Sequence, residues 1–101
     1  MGTFDKAKQL YDLQKKARAI QKELKDTEVE AKAAGGLVTV VFNAEQHLQE
    51  INIDESMLEP GKKRELEKAL GQAISESISR VQAIAAEKMK VLYGNLNIPG
   101  M

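Results

Sequence analysis

Residues 35–43 read Gly-Gly-Leu-Val-Thr-Val-Val-Phe-Asn, and the fold turns on them. β-Branched and aromatic side chains suit a pleated backbone, which makes Leu37–Phe42 the most strand-prone run of the chain. Gly35-Gly36 ahead of it can take the positive φ angles of a turn. Thr27–Ala33, on the other side of the glycines, alternates polar and apolar residues with period two. The two segments read as a hairpin. After the turn-like Asn43-Ala44-Glu45-Gln46, Leu48–Ile53 offers a third strand, so residues 27–53 are expected to form an antiparallel meander with Leu37–Phe42 central. Val38, Val40 and Phe42 fall on one face of that strand and Leu37 and Val41 on the other, a pattern that asks for cover on both sides.

The flanks have helical periods. Leu10, Leu13, Ala17, Ile20 and Leu24 recur at steps of three and four, the seam of a coiled coil or an antiparallel helix pair. Residues 3–25 therefore read as a helix, with Thr3 a suitable N-cap. Pro60 fits the first turn of a second helix over 60–93, because its missing N–H would be unpaired there. Its stripe runs Leu70, Ile74, Ile78, Val81, Ala85, Met89 and Leu92, an eleven-residue period that keeps a helix nearly straight. Gly94 stops it, and 94–101 reads as a flexible tail.

One domain over 1–101 is the expectation for a chain of 101 residues with 43% hydrophobic composition. With four aromatic residues and no tryptophan, its core must be aliphatic and thin. Association through an apolar face is then a plausible source of further stability. The absence of cysteine excludes disulfides, thiolate chemistry and Cys-ligated metals. No run approaches the roughly 18 apolar residues of a membrane span, so a cytoplasmic protein with no membrane partner is expected. Net charge is zero, yet the charges are segregated: residues 5–25 carry +4, residues 26–59 carry −7 and residues 60–101 carry +3.

Lys8, Lys15 and Lys22 recur every seven residues, with Arg18 and Lys25 on the neighbouring ridge, all opposite the apolar seam. Tyr11 lies on the same ridge, where its hydroxyl could reach a phosphate. Lysines often do no more than solvate an exposed face, but a solvated face mixes signs, and Asp5, Asp12 and Glu23 lie off this ridge. Lys62-Lys63-Arg64 open the second helix, where three cations oppose the positive end of the helix dipole by about 0.3 to 1 kcal/mol each. Stability alone would not choose them. With free N-terminal N–H groups they make an anion site, unless Glu59, Glu65 and Glu67 neutralise them locally. Lys88 and Lys90 suit the other end of the dipole. His47 is the only histidine and sits beside Glu45 in a turn, with no nucleophile motif, so no catalytic residue is expected. Glu28, Glu30, Asp54 and Glu55 have no metal-ligand spacing, and Gly35-Gly36 precede a strand and lack the Lys-Ser/Thr of a phosphate loop. The expectation is no metal, no cofactor, no small-molecule substrate and no enzymatic activity.

The stretch Gly35–Asn43, with Ile51-Asn52-Ile53-Asp54 and Met57-Leu58, resembles the signature of the YbaB/EbfC family. A Gln- and Lys-rich first helix, the Leu66–Ile78 segment and the ending Ile98-Pro99-Gly100 extend the similarity over nearly the whole chain. Two departures stand out. Ala44 follows Asn43 where the family usually has Gly, and Ser75 stands where it often has Asn. The resemblance implies an α+β fold of order α-β-β-β-α, with a three-stranded antiparallel sheet flanked by two long helices. It further implies a bacterial, nucleoid-associated homodimer shaped like tweezers, whose helical arms bind DNA with little sequence preference and affect gene expression. On that reading Lys8, Tyr11, Lys15, Arg18, Lys22, Lys25, Lys62, Lys63 and Arg64 face DNA phosphates. The dimer contact would use Leu10, Leu13, Ala17, Ile20, Val38, Val40 and Phe42. The alternative is a prefoldin-like interaction or chaperone protein, since two helices flanking strands describe that architecture too.

Overall fold

The computed structural model describes the backbone of residues 3–94 and the side chains of residues 5–92. In chain order the elements are α1 (Thr3–Asp26), β1 (Glu28–Ala33), β2 (Val38–Asn43), β3 (Leu48–Ile53) and α2 (Lys63–Gly94). Single 3-10 turns lie at Ala34–Gly36, Glu55–Met57 and Pro60–Lys62. The fold is α+β. The Thr3 side chain, read as a cap, and the tail over 95–101 fall outside what is described.

The sheet has the order β1-β2-β3 and is antiparallel throughout, with β2 central as its composition requires. In register, Val29 faces Phe42, Ala31 faces Val40 and Ala33 faces Val38 across β1 and β2. Val38 faces Ile53 and Val40 faces Ile51 across β2 and β3. A register shift between Val41 and Phe42 brings Leu48 opposite Phe42 and leaves Gln49 as the extra residue of the edge strand. The β1–β2 turn takes positive φ at Ala34, Gly35 and Gly36, one residue more than the two glycines predict. In the β2–β3 turn the left-handed residue is Gln46, and Asn43 Oδ1 accepts from the N–H groups of Glu45 and His47. The departure at Ala44 now has a physical account. Its methyl is buried in the core and its N–H donates to Leu24 O at 3.0 Å and Thr27 O at 2.9 Å, tying the end of α1 to the sheet.

α2 lies across β1 and β2 and meets the sheet with its smallest side chains. Ala69, Ala73, Ser77 and Val81 are its buried line, whereas Leu70, Ile74 and Ile78 of the predicted stripe are half-buried. The stripe is thus rotated by one residue. Small groups let the helix axis approach the pleated surface, and Leu70 and Ile74 pack at the margin of the core. Val29, Ala31, Val40, Phe42, Ala44, Ala73 and Val81 form one buried cluster. Val38, Met57 and Ala69 form another near the start of α2. Removing a side chain such as Phe42 from a core this thin costs about 3–5 kcal/mol, a large share of a small domain's stability.

The expected cover on both sides of β2 is corrected by this arrangement. α2 covers one face only. On the other, Glu30 and Glu50 flank Val41 in register, and both are exposed. Leu37 stands outside the strand and is exposed. Pro60 is likewise displaced from α2 into the preceding 3-10 turn, and the α-helix begins at Lys63.

Candidate nucleic-acid interface

α1 owes its shape to its seam. Leu24 packs against the cluster that Ile84 joins on α2, and Glu23 pairs with Lys88 at 3.0 Å. Leu13, Ala17 and Ile20 are half-buried on the same side of α1, and Leu92 of α2 is buried. Contact is therefore confined to the far third of α2. Toward its N-terminus α1 makes no such contact among the described residues, and Leu10 is 65% exposed. The molecule measures 71 × 25 × 15 Å, and its radius of gyration of 19.8 Å is far above the ~13 Å of a compact domain this long. A sheet-and-helix body carries one projecting arm.

The whole outer ridge of that arm is in solvent: Lys8, Tyr11, Lys15, Arg18, Lys22 and Lys25 are all exposed. Steps of three and four place them on one side of the helix, about 26 Å from first to last at 1.5 Å per residue. The ion pairs within hydrogen-bonding reach of carboxylates are made by Lys32, Lys63 and Lys88. None of the ridge cations pairs with a carboxylate of the described residues. They are free to meet an external anion.

The triplet at the start of α2 lies elsewhere. Lys63 is about 21 residues along α2 from Ile84, where α1 makes its contact, or roughly 32 Å of helix. The two basic segments that the sequence separates by an acidic middle thus stand toward opposite ends of the molecule. Within the triplet, Lys63 pairs with Glu67 at 3.7 Å, an exposed contact that contributes little. Lys62 is half-buried beside Asp54. The Ser56 hydroxyl, then the Ser56 backbone N–H, and more weakly the charge of Lys62 hold the Asp54 carboxyl below its ordinary range against a small opposing effect of desolvation. Arg64 is exposed and unpaired among the described residues.

The dimer residues expected from the sequence separate as well. Val38, Val40 and Phe42 are 0, 0 and 7% exposed within the single chain, against α2 and its neighbours, so they have no surface left for a second copy. That part of the expectation is corrected, because α2 takes the face that the strand pattern left open. Leu10 is exposed, and Leu13, Ala17 and Ile20 are half-exposed. Sequence reasoning missed an exposed apolar edge, formed by Leu48 and Ile51 on β3. β3 carries its apolar residues on the α2 side, yet α2 does not reach over it, and Leu48 and Ile51 are 48% and 44% exposed. Only the position of α2 could reveal this.

Among the described residues no group of three or more His, Cys, Asp and Glu side chains is placed to hold a metal ion. Among the same residues no helix is long and apolar enough to cross a membrane. His47 is exposed, as read from its turn.

Residues 1–96 match the model of the YbaB/EbfC DNA-binding family. The chain is 36% identical over 94 residues to a nucleoid-associated protein of Afipia carboxidovorans, covering 93% of this chain and 90% of that one. It is 34% identical over 98 residues to a nucleoid-associated protein of Syntrophobacter fumaroxidans, covering 97% and 89%. Its fold is similar to the crystal structure of uncharacterized protein HP0035 from Helicobacter pylori, with TM-score 0.76 and 27% identity over 95% of this chain and 97% of that one.

Proposed function

The chain belongs to the YbaB/EbfC DNA-binding family, and from that premise we propose that it is a nucleoid-associated, non-enzymatic homodimer that grips duplex DNA by its phosphates along α1. The observation that carries the reading is the α1 ridge itself, five cations and a tyrosine in one exposed row with no carboxylate partner among the described residues. Such a row neutralises phosphates and releases counterions, which supplies affinity without reading sequence. Contacts from these cations to phosphate carry no sequence information, which fits a low base preference. The carboxylates on the outer sheet face turn DNA away from the body and toward the arm.

Two arms hold more firmly than one. In the same proposal, a second copy covers apolar surface that one chain leaves open: Leu48 and Ile51 on β3, with Leu10 and Leu13 on the α1 seam. Arg64 adds a distal contact at the other end of the molecule.

Salt dependence tests the reading. Each phosphate contact lowers log affinity by roughly 0.9 per unit of log salt, so five per arm give a slope of about −4.5, and two arms about −9. Gel-shift or anisotropy titrations on two unrelated duplexes are expected to give the same steep slope for both. A flat response, or no binding at low salt, would overturn the proposal.

A further inference from the structure

Tyr11 is 65% exposed, whereas Phe42, the other aromatic residue inside the described side chains, is 7% exposed in the core. Four aromatics in the chain leave none to spare for solvent without a reason of chemistry. Tyr11, Gln14, Lys15 and Arg18 together line one open hollow on the outer face of α1, as the spacing i, i+3, i+4 and i+7 requires. An aromatic face framed by two cations and an amide is chemically matched to a whole nucleotide. The cations suit its phosphate, the ring suits the face of its base, and the amide can both donate to and accept from a base edge or sugar. A perfect duplex cannot use the ring in this way, because its bases are stacked inward and a helix lying on the backbone meets phosphate and sugar.

We propose that Tyr11 is a stacking position for an unpaired nucleobase, so that the α1 arm prefers nucleic acid with a base out of the stack over perfect duplex. This rests on the α1 reading above and adds to it a structural preference of the ligand. Preference comes from stacking and is tolerant of base identity, since every base has a π face. The surface is an unpartnered helix face, and charge complementarity selects nucleic acid as its occupant.

Anisotropy titrations of the full chain would compare a perfect duplex, the same duplex carrying bulged thymines, and an oligo-dT strand, using wild type, Tyr11→Phe and Tyr11→Ala. The exposure of Tyr11 lets both variants fold, and circular dichroism checks that they do. Wild type is expected to bind the bulged duplex more tightly than the perfect one. Tyr11→Ala is expected to lose about fivefold or more on the bulged duplex beyond its loss on the perfect one, while Tyr11→Phe keeps the preference. In a Tyr93→Phe background Tyr11 is the only tyrosine, and its fluorescence is expected to be quenched by the bulged duplex in particular. Equal wild-type affinity for bulged and perfect duplex would overturn the inference and leave the phosphate ridge standing. A Tyr11→Phe loss as large as that of Tyr11→Ala would also overturn it, since the contact would then be a hydroxyl on phosphate. Wild type that binds none of the ligands would overturn both readings.

Discussion

Single residues in this chain carry strain and deficits that the fold must support. Gly36 has φ +94, a conformation that an L side chain adopts only under strain, and a Cβ built there meets nothing within 4 Å. Gly36→Ala is therefore a test of backbone conformation alone, and it is expected to destabilise the protein by about 1 kcal/mol, read as a lower urea midpoint at constant m-value. Ser77 presents the opposite case. It is fully buried on α2, and its Oγ has no partner among the described residues. An unsatisfied buried hydroxyl costs about 1–3 kcal/mol, so Ser77→Ala is expected to raise the urea midpoint, with no change in DNA affinity. The small size of Ser77, not its hydroxyl, is what the helix–sheet contact uses.

At the scale of elements, α1 is divided lengthwise into a half-buried seam and a solvated ridge. Its integrity and its proposed ligand contacts can therefore be changed independently. Lys and Glu have similar helix propensities and both positions are exposed, so Lys15→Glu/Lys22→Glu should leave far-UV circular dichroism unchanged. The same double variant is expected to weaken binding to any duplex by at least about tenfold and to reduce the salt slope by about 1.8 per arm. Unchanged affinity at low salt would remove α1 from the interface. α2 is divided differently: Ala69, Ala73 and Ser77 seat it on the sheet, while Leu70, Ile74 and Ile78 beside them are half-buried.

For the whole molecule, length and charge separation matter more than any one contact. The body is short and thinly packed, and its arm extends to a maximum dimension of 71 Å. An arm that reaches this far gains from being duplicated, because linked contacts convert a second binding event into an intramolecular one worth about 10²–10⁴ in avidity. On the proposed homodimer reading, charging the exposed apolar edge with Leu48→Asp/Ile51→Asp is expected to shift sedimentation from dimer to monomer and to weaken DNA binding by about 10²-fold, although both residues lie off the α1 ridge. A double variant that remains a dimer would place the partner on another face, with the α1 seam the next surface to charge.

The linear chain was enough to determine element order, strand pairing and the two-sided character of α1. Those properties rest on period, turn chemistry and short-range sterics, and each is written in neighbouring residues: three-four spacing in Leu10 to Leu24, alternation in Thr27–Ala33, glycines at 35 and 36. The family followed from the same stretch. Tertiary structure alone decided that α2 seats on Ala69, Ala73 and Ser77, since a bulky stripe and a small-residue stripe one position apart have the same period. That choice consumes Val38, Val40 and Phe42 inside one chain and leaves Leu48 and Ile51 bare. It also decided that Lys62–Arg64 and the α1 ridge stand at opposite ends, because distance along a rigid helix is invisible in composition and appears only once the helix is laid across the sheet.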